Sequence, residues 1–368
     1  MMPAGIIKDR YGVSFANAGE PAWHGLGNPI PVGASTKEIL QAARLSNWNV
    51  RTVRYDALAY EDDDELRQNP IEIPLADSYQ RLVIRNNPDT GVREFLGRVT
   101  GRYETFSNEE LAALANSIME FDSGTYWDTA GAIENNQKVF MSLKLGDEII
   151  IDPNGANDRI LQHVLLTTGH TGNMAVWTKN VGTRVVCANT YAMAMGEESP
   201  TYTFRHLRGQ VDQDHDIASA LGITRNYFKT LEEVANTLYE TPMDTKEFVK
   251  YAETLYPKPE VRDLGLTQSG TPRKDKTYSI WETRRDDLVD IWNGNGKREV
   301  NTIDNIRGTA WAGFNAFSEY IDWYGATASK NQLLTASSMA STKILTNDGK
   351  SVDAKPYGLE VLKELVSS

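Results

Sequence analysis

The sequence predicts an α+β protein with a mostly antiparallel sheet, a β-β-β-α core and a helical C-terminal part. Two observations lead to this fold class. Residues 126–186 consist of apolar and β-branched runs joined by short turns, which require antiparallel pairing because a parallel crossover needs a dozen or more residues. After residue 210, apolar residues recur at helical spacing instead. We therefore expect an α+β domain over residues 1–210 and a helical domain with mobile loops over residues 211–368.

Two helices of the first domain are marked by serine and glutamate three residues apart. Ser35 precedes Glu38, and Ser107 precedes Glu110. In this arrangement, the capping box, each side chain accepts a hydrogen bond from the backbone N–H of the other residue. The apolar residues that follow each pair give the helix one face to bury.

The strands of the first domain are indicated by β-branched and aromatic runs. One is expected at residues 48–55, and residues 80–85 and 93–99 flank a Pro-Asp-Thr-Gly turn typical of a hairpin. Further strands are expected at residues 138–145, 147–151, 160–168, 174–179 and 183–186, followed by a helical segment at 187–195 that completes the β-β-β-α core.

The C-terminal part has helical patterns and two loop-like stretches. Residues 262–276 and 325–355 are rich in Gly, Ser, Thr, Asp and Lys, which is typical of mobile loops. Helices are expected at residues 213–240, 245–255, 278–293 and 303–324.

Composition excludes several classes of protein. Asp and Glu outnumber Lys and Arg by 50 to 38, and this gives a net charge of −12, so binding of nucleic acid through bulk charge is disfavoured. The single cysteine, Cys187, excludes an intramolecular disulfide and a cysteine-rich zinc site. No apolar stretch is long enough to span a membrane, and the N-terminus lacks the apolar core of a signal peptide. We expect a cytoplasmic protein without metal or cofactor.

One segment stands apart from this acidic background. Between Arg159 and Gly196 the chain has no Asp or Glu. Cations interleaved with aromatic rings suit a single nucleic-acid strand, because phosphates pair with Lys and Arg while bases stack on rings. A buried sheet that avoids carboxylates would give the same pattern. In the first interpretation, Arg159, Lys179, Arg184 and Arg205 contact phosphates, Trp177 and Tyr191 stack on bases, and Asn189 and Thr190 hydrogen-bond the strand's backbone.

Four motifs together resemble a known family. They are Trp23–Gly27 (WHGLG), Arg184–Thr190 (RVVCANT), Gly308–Trp311 (GTAW) and Glu319–Asp322 (EYID). In this order they resemble the phage/plasmid-like proteins that carry domain of unknown function 932. The resemblance implies an origin on phages, prophages or plasmids and transfers no activity. Mobile elements commonly encode single-strand annealing proteins with a β-β-β-α core, so the resemblance implies, by analogy of fold, a role in recombination or replication in a bacterial host.

Three functions are therefore carried forward. The leading hypothesis is a non-catalytic, homo-oligomeric protein that binds and anneals single-stranded DNA. The alternative is a protein-binding module that engages or interferes with a host protein. The third is an enzyme that uses His170, with Cys187 as a nucleophile, or the acidic clusters, but no spacing of nucleophile, base and orienting group supports it.

Overall fold

A computed structural model shows the α+β fold that the sequence predicts. The structure describes residues 8–9, 12–19, 27–54, 57–59, 71–73, 80–122, 124–151, 155, 158–181, 201–204, 213–260, 265, 275–297, 304–324, 343–345 and 350–367. The helix predicted at 187–195 lies outside these residues.

The described elements are strands in the first half of the chain and mainly helices in the second. The strands are β1 (Lys8–Asp9), β2 (Gly12–Val13), β3 (Phe15–Ala18), β4 (Asn28–Ile30), β5 (Arg51–Val53), β6 (Ala57–Ala59), β7 (Ile71–Ile73), β8 (Gln80–Asn86), β9 (Arg93–Thr100), β10 (Tyr126–Ile133), β11 (Lys138–Ile151), β12 (Asp158–Gly169), β13 (Val176–Val181), β14 (Thr201–Phe204), β15 (Lys343–Leu345) and β16 (Ser351–Asp353). The helices are α1 (Thr36–Ala42), α2 (Asn108–Phe121), α3 (Gln213–Glu240), α4 (Thr245–Leu255), α5 (Lys276–Trp292), α6 (Ala310–Trp323) and α7 (Ala354–Ser367).

The chain divides into two compact units. Among the described residues, the first unit runs up to Asp147 and resumes at Leu161–Val181 and Thr201–Arg225. The second contains Glu148–Ile160 and the chain from Asn226 onward. The domain boundary expected at residue 210 stays a prediction, because residues 205–212 lie outside the described part.

The main sheet of the first unit has seven strands in the order β14-β13-β12-β11-β10-β3-β4. Strand β10 pairs antiparallel with β11 and with β3, β13 pairs antiparallel with β12 and with β14, and β3 pairs with β4 in parallel. Phe15, Phe140 and Leu165 are fully buried within it, as expected for strands that form the core of the unit. Strands β10 to β13 follow one another in both sequence and space, which is the meander that the short turns predict.

A smaller sheet of three strands, in the order β5-β8-β9, also belongs to the first unit. One of its faces is buried, with Val83 and Val99 in the core. Gly97 lies so close to the β12–β13 turn that a Cβ placed on it would be 2.8 Å from Thr171 Cα. A side chain at this position would therefore push the sheet away from the turn.

The helical second unit is held together by aromatic packing. The rings of Phe248 and Trp292 stack with centroids 4.7 Å apart and join α4 to α5. Gly358 of α7 packs directly on the ring of Phe317 in α6, where a Cβ would collide with the ring. None of the helices in the described part of the chain is long and apolar enough to cross a membrane.

The helix caps are where sequence and structure agree best. Both serine–glutamate capping boxes are present, before α1 and before α2. Helices α3 and α4 have the bounds that apolar spacing predicts. The hairpin predicted at residues 80–99 is β8–β9.

Several boundaries differ from the predictions for physical reasons. Residues 138–151 form one strand rather than two, because Gly146 and Asp147 continue the extended chain. The helix expected from residue 303 begins at Ala310, where Thr309 provides the N-cap, after a short 3-10 turn. Helix α7 and the antiparallel pair β15–β16 were not predicted, because residues 343–355, which include the start of α7, resemble a loop in composition.

Candidate nucleic-acid interface

Most of the acid-free segment that the structure describes is buried in the main sheet, namely residues 162–170, 176 and 178–180. Lys179 on β13 is only 4% exposed, and its neighbours Thr178 and Asn180 are 4% and 3% exposed. The expectation that Lys179 lines a solvent-exposed cationic groove therefore does not hold. From Arg159 onward, strands β12 and β13 lack Asp and Glu, because an unpaired carboxylate would cost several kcal/mol in the buried part of the sheet.

The polar groups of this buried region face other polar groups of the same unit. His163 Nε2 lies 3.7 Å from Asp128 Oδ2, with both side chains at most 2% exposed. Thr224 Oγ1 donates to Asn180 Oδ1 at 2.6 Å. The segment is thus integrated into the fold by internal contacts, which is the buried-sheet alternative that the sequence left open.

Two other predicted contact residues are described. Arg159 is exposed, with 57% of its side-chain surface in solvent, and its Nη1 lies 3.4 Å from Glu148 Oε2. Trp177 on β13 is half-buried and lies between Thr167 and Thr203 in the sheet. The remaining predicted contacts lie outside the described residues, and their roles stay predictions: Arg184, Asn189, Thr190, Tyr191 and Arg205.

The histidine that the enzyme hypothesis uses has a structural position. His170 is fully buried, and its Nε2 is 3.3 Å from Asn108 Oδ1. Its ring lies 5.9 Å from that of Trp48, and Cys187 lies outside the described residues. No cluster of three or more metal-ligating side chains occurs in the part of the chain that the structure describes.

A different cationic surface lies on the outer side of the three-stranded sheet. Residues directly opposite one another on neighbouring strands share a face. The register joins Arg51 to Ile84 and Phe95 in one row, and Val53 to Leu82 and Arg98 in the next. We call this surface the arginine face, and it comprises Arg51, Val53, Leu82, Ile84, Asn86, Arg93, Phe95, Arg98 and Thr100.

A register shift in the β8–β9 hairpin creates this combination of side chains. Simple alternation along β9 would put Phe95 and Arg98 on opposite faces. The pairing shifts between Val83 and Ile84, so that Leu96 and Gly97 are both buried. Phe95 and Arg98 therefore point to the same side, as β-bulges commonly re-aim side chains.

The arginine face is open to solvent. Phe95 is 59% exposed, and Arg93 and Arg98 on either side of it along β9 are exposed as well. Arg51 is oriented by bonds from its guanidinium to Asn49 O at 2.8 Å and to Asn86 Oδ1 at 3.2 Å. Within the described ranges, no carboxylate forms an ion pair with any of these three arginines.

The carboxylates of the hairpin are engaged away from this face. Glu94 points inward, where Oε2 is 2.6 Å from Arg85 Nη2 and Oε1 accepts from Asn87 Nδ2 at 2.7 Å. Asp89 in the turn pairs with Arg44. Glu94 and Asp89 are thus paired with Arg85 and Arg44, and their charges are neutralised locally.

The inner side of the hairpin holds the arginine face in position. The Arg85 guanidinium lies 4.0 Å from the ring centroid of the buried Trp48. Tyr103, just after β9, donates its hydroxyl to Gly169 O at 3.1 Å, and burial raises the pKa of this phenol to about 12. Because these groups are anchored, the outer arginines project from a rigid sheet rather than from a loop.

Comparison with known proteins gives a family. Residues 95–341, more than half of the chain, match the family described as Domain of unknown function (DUF932). The chain belongs to this family. No curated protein and no solved structure matches the chain. The family resemblance predicted from sequence motifs is therefore confirmed, while the function has to be argued from the geometry of this DUF932 member itself.

Proposed function

We propose that this DUF932 protein binds single-stranded DNA through the arginine face. The observation that carries the proposal is Phe95, an aromatic residue that is 59% exposed between two exposed arginines on one face of a sheet. Contact between a large apolar side chain and water is unfavourable, so a ligand that covers the side chain gains binding free energy. Unpaired bases stack on such rings, while the flanking guanidiniums pair with phosphates.

The charge distribution supports this ligand. The net charge of −12 acts over the whole molecule, but at physiological salt charges beyond about 8 Å are largely screened. A bound phosphate therefore responds mainly to the arginines of the face. Duplex DNA offers no exposed base to Phe95, so an unpaired strand uses the surface more completely.

The cellular role that fits this activity is strand annealing during recombination or replication, as the resemblance to mobile-element proteins suggests. This role needs at least two strands to be held together, which agrees with the expectation of a homo-oligomer. The rival occupant of the arginine face is a host protein, for which an exposed Phe and arginines would also form an anchor.

The test is a titration of the full chain against a fluorescent oligo-dT of about 20 nucleotides at low salt. The R93A/R98A double variant removes two phosphate contacts, and we expect weaker binding and a salt slope of log K that is smaller by about 1.4. The matched control is R225A, because Arg225 is an exposed cation of the same unit that pairs with Asp122 at 3.3 Å.

Each result has a definite reading. Strand binding that is lost in R93A/R98A and retained in R225A supports the proposal. No binding of oligo-dT by the unaltered chain at low salt overturns it, and so does equal binding by the double variant. Capture of one protein from host lysate that depends on Phe95, without DNA binding, assigns the face to the rival occupant.

A further inference from the structure

The arginine face has an aliphatic centre between cationic edges. Arg51 lies on the β5 edge, and Arg93 and Arg98 lie on β9, with β8 between the two strands. Neighbouring strands are about 4.8 Å apart, so about 10 Å separates the two cationic edges. Val53, Leu82 and Ile84 fill the space between them and are half-buried.

A nucleotide on this surface meets two kinds of group. In the proposed complex, the base stacks on Phe95 and the phosphates reach the arginines at the edges. The sugar that joins base and phosphate then lies over Val53, Leu82 and Ile84, whose side chains have no hydrogen-bonding atom. Deoxyribose has an apolar C2′ that suits this contact, whereas ribose has a hydroxyl there.

We propose that this aliphatic centre makes the arginine face select DNA over RNA. The inference rests on the proposed function and adds a preference for DNA over RNA, which the binding of a single strand does not by itself require. A 2′-hydroxyl pressed against the three aliphatic side chains loses a water partner and gains none. An unmade hydrogen bond of this kind costs about 1 kcal/mol or more, which is a factor of about five or more in affinity.

The experiment compares oligo-dU with oligo-U of the same length on the full chain, because these strands differ only in the 2′-hydroxyl. We expect oligo-dU to bind about fivefold or more tightly. The V53T variant places a hydroxyl on the aliphatic centre with almost no change in shape, and it should lower the dU/U ratio by offering the 2′-hydroxyl a partner. The matched control is V92T, since Val92 is 61% exposed in the hairpin turn and outside the arginine face.

The outcomes separate this inference from the proposed function. A dU preference that shrinks in V53T and persists in V92T supports it. Equal affinity for oligo-dU and oligo-U, or tighter binding of oligo-U, overturns the selection while strand binding itself stands. A dU preference unchanged in a folded V53T also overturns it, because the discrimination then arises elsewhere. Failure of both strands to bind removes the proposed function as well.

Discussion

Two regions of the chain that contain Lys or Arg teach opposite lessons about sequence patterns. The segment from residue 159 to 181 is conspicuous in the sequence because it lacks acidic residues, yet Lys179 is 4% exposed there. The arginine face is inconspicuous, because Glu94 lies between Arg93 and Phe95 in the sequence. In the structure Glu94 turns inward to Arg85. The absence of carboxylates thus indicates burial in the first region. The second region is cationic because Arg93 and Arg98 lie on the outer face of β9, whereas Glu94 lies on the inner face.

The largest effect expected from this comparison is on stability. Replacing the buried Lys179 by Met should lower the free energy of unfolding by about 3 kcal/mol, because groups that faced the ammonium lose it. At about 2–4 °C per kcal/mol, thermal unfolding should show this clearly. The matched variant R98M changes an exposed cation and should stay within about 0.5 kcal/mol of the unaltered chain. If K179M melts normally and loses DNA binding instead, the assignments of the two regions are reversed.

The next effect is on affinity. F95A removes the stacking platform and should weaken binding of oligo-dT by about 1–3 kcal/mol, or roughly 5- to 150-fold. Its melting temperature should be nearly unchanged, because the ring is largely in water. F121A is the control, since Phe121 is 50% exposed at the end of α2 and outside the arginine face. Equal affinities of F95A and F121A in a fluorescence titration would remove Phe95 from the interface.

A smaller effect distinguishes Arg98 from Arg159. R98Q should reduce the salt slope of log K for oligo-dT by about 0.7, the value of one phosphate contact on a single strand. R159Q should leave the slope unchanged, because Arg159 faces Glu148 at 3.4 Å. If the salt slope of log K falls in R159Q and not in R98Q, the DNA contacts lie in the acid-free segment and not on the arginine face.

The smallest effect comes from charge that lies outside the described residues. The sequence joins β6 to β7 through the acidic run Glu61–Glu65, which repels a phosphate strand. Replacing Asp62, Asp63 and Asp64 by Asn should tighten oligo-dT binding by about two- to threefold at low salt, and screening should abolish the gain at high salt. Weaker binding in this variant would contradict a purely electrostatic influence.

Local rules predicted much of the fold because local chemistry decides it. The capping boxes at Ser35 and Ser107 and the β8–β9 turn depend on residues a few positions apart, and all three are present. The α+β class and the antiparallel meander follow from short connections. Strands β15 and β16 and helix α7 were not predicted, because the polar and small residues at their start are typical of a loop.

The candidate site was harder to predict, because it depends on pairing between strands. Regular alternation along residues 93–98 (REFLGR) would place Phe95 and Arg98 on opposite faces of the sheet. The register shift opposite Val83 and Ile84 brings both side chains to one face. The burial of Lys179 likewise depends on strand pairing, because β13 lies between β12 and β14, where Lys179 is opposite Leu165 and Thr201. One sequence pattern does indicate the site, since Arg51 lies on a predicted strand and Arg93, Phe95 and Arg98 lie on or next to a strand of the predicted hairpin.

The location of the bound strand can be measured directly by photocross-linking. An oligonucleotide with 4-thiothymidine, bound to the full chain and irradiated, labels the residues that stack on its bases. After trypsin digestion, we expect the label on the peptide Glu94–Arg98, which carries Phe95. Label confined to peptides from the acid-free segment, with Glu94–Arg98 unmodified, would contradict the account of the arginine face.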